Sequence, residues 1–151
     1  MSYLIDGHNL IPKIPGLHLE DTDDEMRLVE LLQVFCRHKQ KKVEVYFDGS
    51  QAGFSGTRRF GQVTAHFVRK GVEADDAIIQ RLTQLGRTAR NWSVVTSDRR
   101  IQAQARSSYT QIIPSERFAA DLMELVRNGT GTVEEQPFQT MSKEEMDEWL
   151  E

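Results

Sequence analysis

Apolar positions along this 151-residue chain fall into two rhythms, and the rhythms alternate. Tyr3-Leu4-Ile5, Val43 to Phe47, Val63 to Val68, Trp92 to Thr96 and Gln111 to Ile113 are short runs rich in β-branched and aromatic residues, which predicts strands. The first run has no polar position inside it, as a strand buried on both faces requires. Val63 to Val68 alternates and is expected at a sheet edge. Between the strands, apolar residues recur every three or four positions and predict helices. One starts among Asp21 to Asp24 and runs to about His38, with Met26, Val29, Leu32 and Phe35 or Cys36 inward. A second covers 74–87 through Ala74, Ile78, Leu82 and Leu85, and a third covers Arg99 to Arg106. A fourth begins at Pro114-Ser115, buries Phe118, Leu122 and Leu125, and stops at Asn128-Gly129. Gly7-His8-Asn9 reads as a turn, and Gln51 to Arg59, with its glycines and polar residues, as a surface loop.

Strands alternating with helices give an α/β fold: a three-layer domain with a central, mainly parallel sheet flanked by helices. Its expected extent is 1–128. Residues 129–151 are expected to form an acidic linker and a docked helix, because Ser142 and Glu145 make a capping box ahead of Met146, Trp149 and Leu150.

Charge sharpens this outline. The net charge of −4 conceals a basic stretch: 36–106 carries fourteen basic against six acidic side chains, and most of those acids gather at the predicted site. Such a surface suits a polyanion steered by its phosphates. Cys36 is the only cysteine, which excludes an intramolecular disulfide and fits a buried thiol in a reducing compartment. The first apolar run is too short for a signal peptide or a membrane span, so a cytoplasmic protein with no membrane contact is expected.

The candidate chemistry lies in carboxylates. Glu73-Ala74-Asp75-Asp76 opens a helix with three acids in four residues. An acidic first turn also suits the helix macrodipole, so that segment alone decides little. Asp6, Asp48 and Asp98, however, each follow a predicted strand, and the C-terminal edge of a parallel sheet is where ligands bind. Carboxylates without neighbouring cysteine, and without paired histidines, make a hard-oxygen site suited to Mg²⁺ or Mn²⁺. His8, two residues past Asp6, is the histidine nearest this chemistry. Unmetallated, such acids would repel one another and some would stay protonated. Among basic residues, a divalent ion points to phosphodiester hydrolysis. A P-loop, a dinucleotide fingerprint and a serine-hydrolase elbow are absent from the sequence. His8 stands where an aspartyl-nucleophile phosphatase would need a second aspartate.

The motifs in order are more specific. Tyr3-Leu4-Ile5-Asp6-Gly7-His8-Asn9-Leu10-Ile11 resembles the opening of the NYN domain, in particular its YacP-like branch within the PIN-like nucleases. Val45-Tyr46-Phe47-Asp48-Gly49 is similar to that family's second strand, Glu73-Ala74-Asp75-Asp76 to its helix-borne acids, and Val94-Val95-Thr96-Ser97-Asp98 to its later acidic strand end. The resemblance covers about 2–126. It implies a PIN-like fold and a metal-dependent endoribonuclease of RNA processing or decay, with RNA, including RNA on the ribosome, as partner. Asp6, Asp75 and Asp98 would bind Mg²⁺ or Mn²⁺, with Asp76 assisting directly or through water and Asn9 orienting substrate or a ligand carboxylate. Glu73 and Asp48 are second choices as ligands. Arg58, Arg59, Arg69, Lys70, Arg99 and Arg100 would hold the phosphate backbone. The alternatives are a non-catalytic RNA- or ribosome-binding module with a degenerate acidic site, and a regulatory domain that binds mononucleotides.

Overall fold

The computed structural model describes residues 2–17, 22–48, 56–68 and 73–132, with Thr22, Asp48 and 129–132 described by backbone alone. Six strands form one sheet: β1 (Ser2–Asp6), β2 (Lys42–Asp48), β3 (Gly56–Phe60), β4 (Val63–Val68), β5 (Trp92–Val95) and β6 (Gln111–Ile113). Their order is β3-β4-β2-β1-β5-β6. Neighbours run parallel except β3, which is antiparallel to β4. The helices are α1 (Gly7–Leu10), α2 (Thr22–Lys39), α3 (Ala74–Leu85), α4 (Arg99–Ser107) and α5 (Ser115–Thr132), with 3-10 turns at Ile11–Lys13 and Gly86–Asn91.

The period-two alternation of the strands divides the interior into two cores. Ile5, Val43, Val45, Phe47, Val63, Ala65, Phe67 and Val95 point to one side, where α2 supplies Leu28, Val29, Leu32 and Phe35 and α5 supplies Phe118, Leu122 and Val126. Leu4, Tyr46 and Val94 point to the other, against Ala74, Ile78 and Leu82 of α3 and Ile101 and Ala105 of α4. Both faces of the sheet are covered, which makes the expected three layers.

Several local expectations need correction. Gln51 to Arg59 is not all loop, since 56–60 is the edge strand β3; its sequence lacks apolar alternation because four of its five residues are exposed. β4 is therefore interior, between β3 and β2. Gly7-His8-Asn9 belongs to a single helical turn. Met26 is 38% exposed, because Asp24 and Glu25 take the buried positions in the first turn of α2. The helix at 74–87 stops at Leu85, where Gly86 turns the backbone to φ +55°, and α5 runs past Asn128-Gly129 to Thr132. Cys36 is buried as expected, and burial pushes its thiol up to about 11. The predicted terminal helix, with Met146, Trp149 and Leu150, lies outside the described residues. Among those described, no helix is long and apolar enough to cross a membrane.

Candidate active site

Parallel strands bring their C-terminal ends to one edge, and three elements deliver acids there. Asp6 is the last residue of β1 and shares Leu4's orientation, which aims it toward α3 and α4. Asp75 lies in the first turn of α3, and Asp98 is the N-cap of α4, just after β5. Asp6, Asp75 and Asp98 line one open cleft of about 250 Å³, together with His8, Asn9, Glu73 and Ala74. The convergence expected from spacing is thus present for Asp6, Glu73, Asp75 and Asp98, with Asn9 beside them.

Asp76 sits at the rim. Its carboxylate groups with those of Glu73 and Asp75, ligand atoms all within 4.8 Å of one another, but it does not line the cleft. Asp48 is described only as the last backbone position of β2, and Arg69 and Lys70 lie outside the described residues.

Burial is the main influence on Asp6, which is 7% exposed. It pushes the carboxyl from its usual 3.8 to about 6; the Asn9 backbone N–H pulls the other way, and repulsion from Asp75 and, less, Asp98 adds to the rise. A buried carboxylate facing two further carboxylates favours a cation among them. The Thr96 hydroxyl lies 3.4 Å from Asp6 Oδ2 and accepts the Asp98 backbone N–H at 3.0 Å, so one side chain links two of the acids.

Asp98 has a structural task as well. Its Oδ1 accepts the backbone N–H groups of Arg100 at 2.8 Å and Ile101 at 3.1 Å, capping α4. The cap fixes the carboxylate's direction at the mouth of the cleft.

Asn9 lines the cleft and is anchored behind it. Its side-chain oxygen accepts the Ser97 backbone N–H at 2.8 Å and the Ser115 hydroxyl at 2.6 Å. It ties α1 to the turn before α4 and to the start of α5, a positioning task. Ser97 Oγ in turn accepts the Ser115 N–H at 3.1 Å and donates to Glu116. Sequence reading missed Ser97 and Ser115; the only local signal is Thr96-Ser97 immediately before Asp98. It also missed Glu25, a buried acid on α2 whose Oε2 lies 2.7 Å from His8 Nε2 at the cleft wall.

Gly7 permits the close approach of α1 to β2. A Cβ there would fall 2.5 Å from the Phe47 ring and 2.8 Å from the Tyr46 carbonyl oxygen.

The basic residues divide. Arg58 and Arg59 adjoin on β3 and so face opposite sides of the sheet, Arg58 opposite Ala65 and Arg59 opposite Thr64. Only one of the two can therefore face the α3 side of the sheet. Arg99 is exposed at the start of α4. Arg100 is engaged with the acids themselves: Nη1 lies 3.4 Å from Asp75 Oδ2 and 4.0 Å from Glu73 Oε2, while Nη2 donates to Asp76 Oδ1.

A three-layer sheet with acids from a strand, a helix start and a strand-to-helix turn at one edge defines a PIN-like α/β domain. The YacP-like NYN domain matches residues 3–151, and the chain belongs to that family. Its fold is similar to the crystal structure of Rae1 (YacP) from Bacillus subtilis, with a TM-score of 0.72, 20% identity and coverage of 88% of this chain and 79% of that one. A tryptophan-to-leucine mutant of the same Bacillus subtilis protein gives 0.69 and 19%, covering 99% of this chain and 92% of that one. No curated protein sequence matches.

Proposed function

We propose that this protein is a divalent-metal-dependent endoribonuclease that hydrolyses RNA phosphodiester bonds in RNA processing or decay. The observation that carries the reading is the convergence of Asp6, Asp75 and Asp98 in one cleft, with Asp6 buried against the charges of the other two. The donors are all carboxylate oxygens on separate elements, a set that fits Mg²⁺ or Mn²⁺. Asp6, Asp75 and Asp98 would hold the ion, with Glu73 and Asp76 at its outer side; the ion would supply Lewis acidity toward the scissile phosphate. Membership of the YacP-like NYN family supports RNA as the substrate.

The chain's own residues perform the remaining tasks. Asn9 and Thr96 hold the strand ends in register, the Asp98 cap fixes that carboxylate, and Arg59 and Arg99 present charge to the phosphate backbone. Incubating purified protein with single-stranded RNA in Mn²⁺, Mg²⁺ or EDTA tests the reading. Cleavage that requires metal and disappears in Asp6→Asn and Asp75→Asn is expected.

One observation favours a second reading. Arg100 lies against three of the acids, which suits a non-catalytic RNA-binding module whose cluster is structural. RNA binding indifferent to EDTA, with no cleavage under any metal, would establish that alternative.

A further inference from the structure

Arg100 links the first turns of α4 and α3 beside the cleft. Its backbone N–H binds Asp98 Oδ1 in the first turn of α4, and its side chain crosses to the first turn of α3. There one guanidinium meets Glu73, Asp75 and Asp76, three acids whose ligand atoms lie within 4.8 Å of one another. Asp75 is the acid shared between this rim cluster and the cleft that contains Asp6 and Asp98. The guanidinium and a divalent ion therefore draw on the same carboxylate.

The two cations differ in what they can give up. The Arg100 side chain is 57% exposed and Asp76 is 53% exposed, so their ion pair is one that water and other ions readily replace. A small divalent ion concentrates its charge on carboxylate oxygens. The guanidinium fork has a second natural partner in phosphate, which it can grip with two parallel hydrogen bonds. Arg100 is rooted in the first turn of α4, which the Asp98 cap holds in place.

We propose that Arg100 is an exchangeable counter-cation: it neutralises the rim carboxylates of the metal-free protein, yields Asp75 to the metal, and then takes a phosphate of the bound RNA strand. This rests on the metal-dependent nuclease reading above. It makes Arg100 a positioning residue that couples metal binding to RNA binding. Without RNA, the guanidinium competes with the metal. With both present, the two cooperate, since the metal frees the group that binds the phosphate.

The test uses the full chain and four proteins: wild type, Arg100→Ala, Arg100→Lys and Arg99→Ala. Mn²⁺ affinity is measured by calorimetry without RNA. Affinity for a labelled single-stranded oligoribonucleotide is measured with Ca²⁺ and with EDTA. Arg100→Ala is expected to bind Mn²⁺ about two- to fivefold more tightly than wild type, the range set by exposed ion pairs. It is also expected to lose most of the Ca²⁺-induced gain in RNA affinity, with Arg100→Lys intermediate. Arg99→Ala serves as a control in the Mn²⁺ titration alone: it removes a nearby charge and should leave Mn²⁺ affinity unchanged while lowering RNA affinity with and without Ca²⁺. Mn²⁺ affinity in Arg100→Ala equal to or weaker than wild type makes Arg100 a fixed strut and overturns the exchange, with the metal site intact. An equal gain in Arg99→Ala overturns it in favour of a general field effect. Absence of Mn²⁺ binding in all four proteins overturns the metal-dependent reading and the exchange together.

Discussion

Arg81 on α3 and Glu44 on β2 face each other through two parallel hydrogen bonds, Nε to Oε1 and Nη2 to Oε2, each 3.0 Å long. The pair fixes the helix that carries Asp75 against the strand beside β1. Tyr46 Oη also donates to Glu44 at 3.2 Å, and the guanidinium lies 5.5 Å from the Trp92 ring centroid. Arg81→Met should destabilise the fold by about 2–3 kcal/mol, because it leaves a half-buried carboxylate without its main partner. Urea denaturation of the variant at neutral pH measures this.

The same pair gives an acid-side prediction. Burial works against the charge on Glu44, but the His66 imidazole 3.5 Å away and the two hydrogen bonds from Arg81 outweigh it and hold the carboxyl at about 2, below its usual 4.5. A depressed carboxyl contributes stability that is present above the unfolded value and lost as pH falls through the folded one. Wild type should therefore lose its advantage over Glu44→Gln as pH drops from about 4.5 toward 2. Denaturant midpoints across that window check the sign.

Asp6 behaves in the opposite sense. With its carboxyl raised to about 6, it stabilises the metal-free protein fully below 3.8, and that contribution is lost as pH rises through 6. Asp6→Asn in EDTA should melt higher than wild type at pH 7.5, by the equivalent of about 1–3 kcal/mol, with the difference shrinking toward pH 4. Millimolar Mn²⁺ should raise the melting temperature of wild type and not of the variant.

Asn9→Ala should cost about 1–3 kcal/mol, since it removes the acceptor shared by the Ser97 N–H and the Ser115 hydroxyl. Cleavage should fall more than stability accounts for at temperatures where the variant is fully folded. Circular dichroism and initial rates on the same sample separate the two effects.

Gly7→Ala tests the contact between α1 and β2. The added methyl meets the Phe47 ring at 2.5 Å, so either the ring or the turn must move, at about 1–3 kcal/mol or more. Gly7→Ala combined with Phe47→Leu should recover part of the loss in thermal melts.

Arg58 and Arg59 separate by strand geometry. Arg59 shares the face of Thr64 and His66, the side on which α3 lies, whereas Arg58 is opposite Ala65 on the α2 side. Arg59→Glu should weaken RNA binding and flatten its salt dependence more than Arg58→Glu does. Binding titrations at several salt concentrations distinguish them.

The two cores were legible because period-two and period-four patterns survive in a linear sequence. Asp6, Asp75 and Asp98 were legible as site candidates for the same reason: each stands where a strand ends or a helix begins. β3 was hidden because Gly56-Thr57-Arg58-Arg59-Phe60 joins the sheet by backbone pairing to β4, with little side-chain burial to leave a pattern. Met26 failed as an inward residue because buried Glu25 pairs with His8, a tertiary partner that no local rule reveals. The tasks of Asn9 and Arg100 were equally hidden, as the partners of Asn9 lie 88 and 106 positions away and those of Arg100 lie on another helix.

The reach from Asn9 to Ser115 also sets an order of events during synthesis. Every described carboxylate of the cleft has been made by the time Asp98 is added, yet the hydroxyl that closes on Asn9 comes seventeen residues later, at the start of α5. A nascent chain that has reached only α4 holds all those acids without the bond that registers α1 against α5. Interrupted copies thus carry the acids of the site without its final alignment, and the cleft is completed late in translation.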